Sequence, residues 1–156
     1  MHRFLKLLAI LMLFASSAQA LEPREGWVIL QSEKSFEDLV KSVNTAVETS
    51  EIRIVTQASA SAGAAMQGIT IPGNRVFGLY RNDYARRMLD ASIAAGIEAP
   101  IRLYATENAD GTSTLAYKTP SHVFAPYFDE GGDALRGLAA ELDGVFDAVA
   151  GAAVAD

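Results

Sequence analysis

Two alternating runs, Ile101 to Glu107 and Ser113 to Tyr117, are separated by Asn108-Ala109-Asp110-Gly111-Thr112. Alternation of apolar and polar residues marks a strand with one buried face, and an Asp-Gly turn of this length joins antiparallel neighbours. The hairpin is the strongest constraint on the fold. It must close a sheet whose earlier strands alternate with helices, because the patterns upstream switch between period two and period 3.6. The predicted order is βαβ(α)βαββα, which implies an α+β domain: a single mixed β-sheet of about five strands with helices packed on it.

The first strand is Trp27-Val28-Ile29-Leu30. Ser35 then has the chemistry of an N-cap, with Asp38 as its capping-box partner. Phe36, Leu39, Val40, Val43 and Val47 share one face of the helix that follows. Ile52 to Thr56 reads as a second strand. The alanine-rich stretch from Ala58 to Gln67 is compatible with a linker, but alanine favours a short, closely packed helix, stopped at Gly68. Pro72-Gly73-Asn74 turns the chain into a third strand, Arg75 to Tyr80. Asn82 is placed to cap a helix from Asp83 to Ala95, with Gly96 as its stop. A short helical stretch runs from Pro120 to Tyr127, and Asp129-Glu130-Gly131-Gly132 is a break. Asp133 then caps a last helix carrying Leu135, Leu138, Leu142, Val145, Phe146 and Val149, with fraying expected after Ala150. No internal repeat or boundary divides residues 21–156, so they are read as one domain.

Residues 1–20 have a different grammar. Arg3 and Lys6 precede an apolar run from Leu7 to Phe14, and Ala18-Gln19-Ala20 is a small-x-small cleavage site. This is a secretory signal peptide, too short for a permanent membrane anchor. Cleavage after Ala20 and a periplasmic or secreted product, not inserted in a membrane, are expected. Loss of Arg3 and Lys6 takes the formal charge from −6 to −8. Such an acidic chain is a poor partner for nucleic acid, whose binding rests on phosphate neutralisation. The sequence has no cysteine, which removes disulfides, thiolate nucleophiles and zinc–thiolate sites.

Val76-Phe77-Gly78, the run Ala94-Ala95-Gly96-Ile97-Glu98-Ala99-Pro100-Ile101-Arg102-Leu103-Tyr104, the Asp110-Gly111 hairpin and Ala116-Tyr117-Lys118-Thr119-Pro120-Ser121 follow one another in a recognisable order. As a set they resemble the bacterial domain-of-unknown-function family 302. The resemblance extends back through the first helix and covers most of residues 21–156. It implies a compact α+β domain with a mixed sheet, whose members can pair as homodimers, and it implies no activity. Many relatives carry Cys-Asn-Pro after the third strand and Pro-Cys before the hairpin. Here those places read Leu79-Tyr80-Arg81-Asn82 and Pro100-Ile101, so no thiol, metal or redox role carries over.

The candidate site residues lie in the half that carries the resemblance. His122 is the one imidazole outside the leader, and it is the candidate for acid–base catalysis. It has no G-x-S-x-G motif beside it, and a lone histidine is more often structural. Arg81, Arg86 and Arg87 form the densest basic stretch; Asp83 and Asp90 stand at pairing distance from the latter two along a helix. Arg102 and Tyr104 share a strand face. Guanidinium and phenol groups suit a carboxylate, phosphate or sulfate. Arg81, Arg102, Tyr104, Tyr117 and His122 are therefore the ligand-binding candidates. Asn108, Asp110 and Gly111 lack the downstream glutamate of a calcium loop and read as turn chemistry, while Asp129, Glu130 and Asp133 read as a solvated loop and a cap. No metal or cofactor is expected. The reading is a non-enzymatic, exported module that binds a small molecule or an envelope protein, with a small acid–base enzyme using His122 as the alternative.

Overall fold

The computed structural model describes residues 21–155. The leader and its cleavage site after Ala20 lie outside the described residues. The chain runs β1 (Trp27–Ser32), α1 (Phe36–Glu48), β2 (Arg53–Ala58), α2 (Ala60–Ala65), β3 (Asn74–Tyr80) and α3 (Asn82–Ala91). A 3-10 turn over Ala94–Glu98 leads to β4 (Ile101–Glu107), β5 (Ser113–Lys118) and α4 (Pro120–Phe124). A second 3-10 turn, Ala125–Tyr127, opens onto α5 (Phe128–Val154).

The five strands form one sheet in the order β1-β5-β4-β3-β2. Every neighbouring pair is antiparallel. The fold is α+β with helices packed on one sheet, as expected, but the sheet is not mixed. The helical crossover does make β1 and β2 parallel in direction. It also carries the chain across the whole width of the sheet, so those two strands end at opposite edges and never pair. The hairpin forms as read: Asp110 Oδ1 accepts from the Thr112 amide at 3.0 Å and its hydroxyl at 2.6 Å, and Gly111 takes φ 86°.

One face of the sheet carries the core. Phe77, Leu103 and Leu115 point into it from the strands, meeting Leu39 and Val43 of α1 and Leu135, Leu138 and Phe146 of α5, all 1% exposed or less. Each large apolar side chain removed from water there contributes roughly 2 kcal/mol. The start of α1 follows the sequence signal: the Ser35 hydroxyl accepts from the Asp38 amide at 3.2 Å and donates to the Asp38 carboxylate at 2.9 Å.

Three helix expectations change. The alanine-rich α2 forms and is capped by Ser59, but none of its residues is buried. It closes the β2–β3 connection, tied to Asn74 through Ser61, rather than lying on the core. α3 stops at Ala91, not Ala95, because Ser92 is extended (φ −153°, ψ 116°) and its hydroxyl accepts from the Ala95 amide at 3.2 Å. That bond starts the 3-10 turn. The last helix does not fray after Ala150: Ala150 and Ala153 are buried, and the Lys34 ammonium donates to the carbonyls of Ala153 and Ala155. A cation on those orphan carbonyls holds the terminus. The expected break narrows to a kink: the last helix begins at Phe128 rather than at Asp133, and of Asp129-Glu130-Gly131-Gly132 only Gly132 leaves helical geometry, at φ 56°, ψ −149°.

Candidate functional site

The second face of the sheet has no helix layer. Tyr117 fixes which face is which, because its ring meets Phe146 of α5 with centroids 5.6 Å apart. Side chains alternate along a strand, so Ala116 and Lys118 point the other way. The register then places Trp27 beside Lys118, Ile29 beside Ala116, Tyr104 beside Ala116, Val76 beside Tyr104 and Arg102 beside Gly78. Ile29, Ala116, Tyr104 and Val76 thus run as an apolar band across the four strands β1, β5, β4 and β3.

The face is concave at both ends. Towards the hairpin lies a hollow of about 770 Å³ lined by Tyr104, Thr106, Gln31, Asn74 and Ile71, among others. Its floor is braced by the Thr114 hydroxyl, which lies 2.9 Å from both Gln31 Oε1 and Asn108 Oδ1. At the opposite end two grooves, of about 300 and 320 Å³, share Val76, Glu98 and Arg102. The first is completed by Trp27, Tyr117 and Lys118, the second by Thr56, Ile97 and Pro100. Gly78 makes this end possible. A Cβ there would stand 2.2 Å from Thr56 Oγ1 and 2.7 Å from Pro100 Cγ, so only a bare Cα lets the Pro100 segment fold over the sheet.

Cations gather at that end. The Lys118 ammonium lies 5.7 Å and the Arg24 guanidinium 5.5 Å from the Trp27 ring centroid. Among the described residues, the ion pairs engage Lys41, Arg81 and Arg87 and leave Arg24, Arg102 and Lys118 without a carboxylate partner. Glu98 lines both grooves, and its Oε1 accepts from the Tyr127 hydroxyl at 2.8 Å.

The predicted site residues divide between the two sides. Arg102 and Tyr104 share the uncovered face. Tyr117 reaches the groove from the helix side; it is 3% exposed, and burial, with Asp147 and Asp143 near it, pushes its phenol up to about 12. His122 sits exposed on α4 with its ring against the Gly26 backbone, and lines neither groove nor the hairpin hollow. No carboxylate hydrogen-bonds its ring among the described residues; its backbone amide donates to the Thr119 hydroxyl at 3.2 Å. Arg81 is occupied. Its Nε and Nη2 donate to Asp83 at 2.5 and 2.6 Å, its Nη1 lies 2.5 Å from Glu51, and it stacks 4.2 Å over the Tyr84 ring. Arg87 pairs not along its own helix but with Glu141 of α5, through two bonds of 2.7 and 2.9 Å. Trp27, Lys118 and Val76 belong to the uncovered face and were not singled out by sequence. Among the described residues no group of three or more His, Cys, Asp or Glu is placed to hold a metal ion.

A family model for a domain of unknown function, DUF302, matches residues 28–149. The chain belongs to that family. The match takes in the whole sheet except Trp27, and most of α5. The crystal structure of an uncharacterized conserved DUF302 protein from Bacillus stearothermophilus resembles this DUF302 domain with a TM-score of 0.72. The two are 14% identical, over 83% of this chain and 98% of that one, a likeness of fold. No curated protein matches the sequence.

The ion-pair cluster gives this DUF302 domain an acid-sensitive seam. Hydrogen bonding to Arg81 holds the Asp83 carboxyl down to about 2 from an ordinary 3.8. Hydrogen bonds from Tyr84 and Arg81 lower Glu51, and one from Arg87 lowers Glu141. A carboxylate with a depressed folded value stabilises the fold fully above its unfolded value and loses that contribution as pH falls through the folded one. Thermal melts are expected to fall more steeply between about pH 4 and pH 2 for the wild type than for Asp83→Asn. Equal slopes would show that the pair carries no linkage.

Proposed function

We propose that this domain is a non-enzymatic binding module of the periplasm that holds a small organic anion on the uncovered face of its sheet. The observation that carries the proposal is the guanidinium of Arg102, without a carboxylate partner, in a groove it shares with Trp27 and Lys118 alongside the apolar band. Arg offers a planar fork that matches carboxylate, phosphate or sulfate, and such charged bonds are stronger than neutral ones. A strongly acidic chain that leaves cations without partners on one concave surface has the charge pattern of an anion site. Small-molecule sites are typically concave and mostly apolar, with a few polar groups that orient the ligand. An acid–base role for His122 gains no support from its exposed ring.

Trp27 is the single tryptophan, so its emission reports the site. In low salt, a panel of organic carboxylates, phosphates and sulfates is expected to contain a ligand that shifts this emission and raises the melting temperature. Arg102→Ala is expected to weaken that ligand by about tenfold or more, the size of a lost charged hydrogen bond. The proposal fails if no anion moves Trp27, if Arg102→Ala binds as well as the wild type, or if light scattering finds a stable dimer that shields Trp27.

Delivery to the periplasm rests on the leader. Mass spectrometry of the native protein is expected to find Leu21 as the first residue. Intact Met1 in the cytoplasmic fraction would contradict it.

A further inference from the structure

Unlike charges share the Arg102 end of the uncovered face without pairing with one another. Glu98 and Arg102 line both grooves there, and Lys118 lines the first. Among the described residues Glu98 forms no ion pair, and neither do Arg102 and Lys118. The half-buried Glu98 carboxylate is held instead by the Tyr127 hydroxyl, which donates to its Oε1 at 2.8 Å. That hydrogen bond pushes the Tyr127 phenol above its ordinary value, so the hydroxyl keeps its proton and stays a donor. A neutral donor satisfies one oxygen of Glu98 and leaves its charge uncompensated. The rest of the lining is largely apolar: Trp27, Val76, Ile101 and Val123 in the first groove, Ile97 and Pro100 in the second. At about 300 and 320 Å³ the grooves have the volume of a site for a small molecule.

We infer that the ligand is a small aminocarboxylate zwitterion, an α-amino acid with an apolar side chain, whose carboxylate is held by Arg102 with Lys118 and whose ammonium is held by Glu98. The inference rests on the anion-binding reading above and adds the second charge. An anion without an ammonium satisfies Arg102 but brings its charge into a groove that Glu98 also lines, where like charges repel. A simple cation meets Arg102 and Lys118 with the same penalty. A zwitterion answers both signs at once, and each of its charged hydrogen bonds is stronger than a neutral one. Its side chain then finds the apolar part of the lining. Tyr127 is the positioning residue, because its hydroxyl holds Glu98 in the grooves.

The test is a titration of Trp27 emission in low salt with leucine, 4-methylpentanoate and 3-methylbutylamine. The three share one branched hydrocarbon and carry both charges, the carboxylate alone and the ammonium alone. Leucine is expected to bind about tenfold tighter than either analogue, the size of one charged hydrogen bond. Glu98→Gln keeps a carbonyl acceptor for Tyr127, so its melting temperature is expected to stay near that of the wild type. It is expected to weaken leucine about tenfold and to tighten 4-methylpentanoate, because a negative charge has left the groove. The two affinities then converge. Equal affinities for leucine and 4-methylpentanoate in the wild type, both lost in Arg102→Ala, would overturn the zwitterion and leave the anion site standing. An advantage of leucine that survives Glu98→Gln would overturn the role of Glu98. Silence of all three probes while another anion moves Trp27 would overturn the zwitterion alone, and silence of every anion would overturn both readings.

Discussion

Burial on one side of the sheet governs everything else in this molecule. α1 and α5 pack against a single face, and the strands have a side-chain period of two. Each strand that sends Leu103, Leu115 or Phe77 into the core must therefore send Tyr104, Ala116 or Val76 to the other side. A shift of one residue in the β4–β5 register would exchange the two sets and bury Arg102. The hairpin at Asn108–Thr112, braced by Asp110 and by Thr114 with Gln31, prevents that shift. The core and the candidate site are thus two consequences of the same register.

The distribution of charge follows the same division. On the helix side, Arg81 and Arg87 are drawn into contacts with Glu51, Asp83 and Glu141, which join α3 to the end of α1 and to α5. Those pairs are partly exposed, so their value lies in orientation more than in stability. On the uncovered side Arg102 and Lys118 have no such partner among the described residues. Arg81 and Arg102 look equivalent as residue types. Their surroundings make one a clasp between elements and the other an available fork.

Much of the fold was legible because local signals agreed with it. The Ser35–Asp38 cap, the alternation on either side of the hairpin and the glycine kink at Gly132 are short-range features, and each formed where its residues stand. The errors came from long-range facts. Strand neighbours cannot be read from chain order: interleaved helices and strands suggest a mixed sheet, but the crossover leaves β1 and β2 at opposite edges and every pair antiparallel. The ordered end of α5 depends on Lys34, more than a hundred residues away. The site was half legible for the same reason. Arg102 and Tyr104 share a face by parity alone, but Trp27 joins them only through the β1–β5 register, and Ile97 only because the Pro100 segment folds over Gly78. Arg81 is engaged by Asp83, two residues on, and by Glu51, thirty residues earlier, whose reach has no local sign in the sequence.

The central claim is that the uncovered sheet face, and not the helix layer, is the working surface. Backbone amide shifts of the isotopically labelled domain, recorded by NMR as an organic carboxylate is added, test it most directly. Perturbations are expected to concentrate on β1, β4, β5 and the Ala94–Glu98 turn, centred on Arg102 and Tyr104, with α1 and α5 unmoved. Perturbations centred on the helix layer, around Arg81 and Glu141 or around His122, would contradict it.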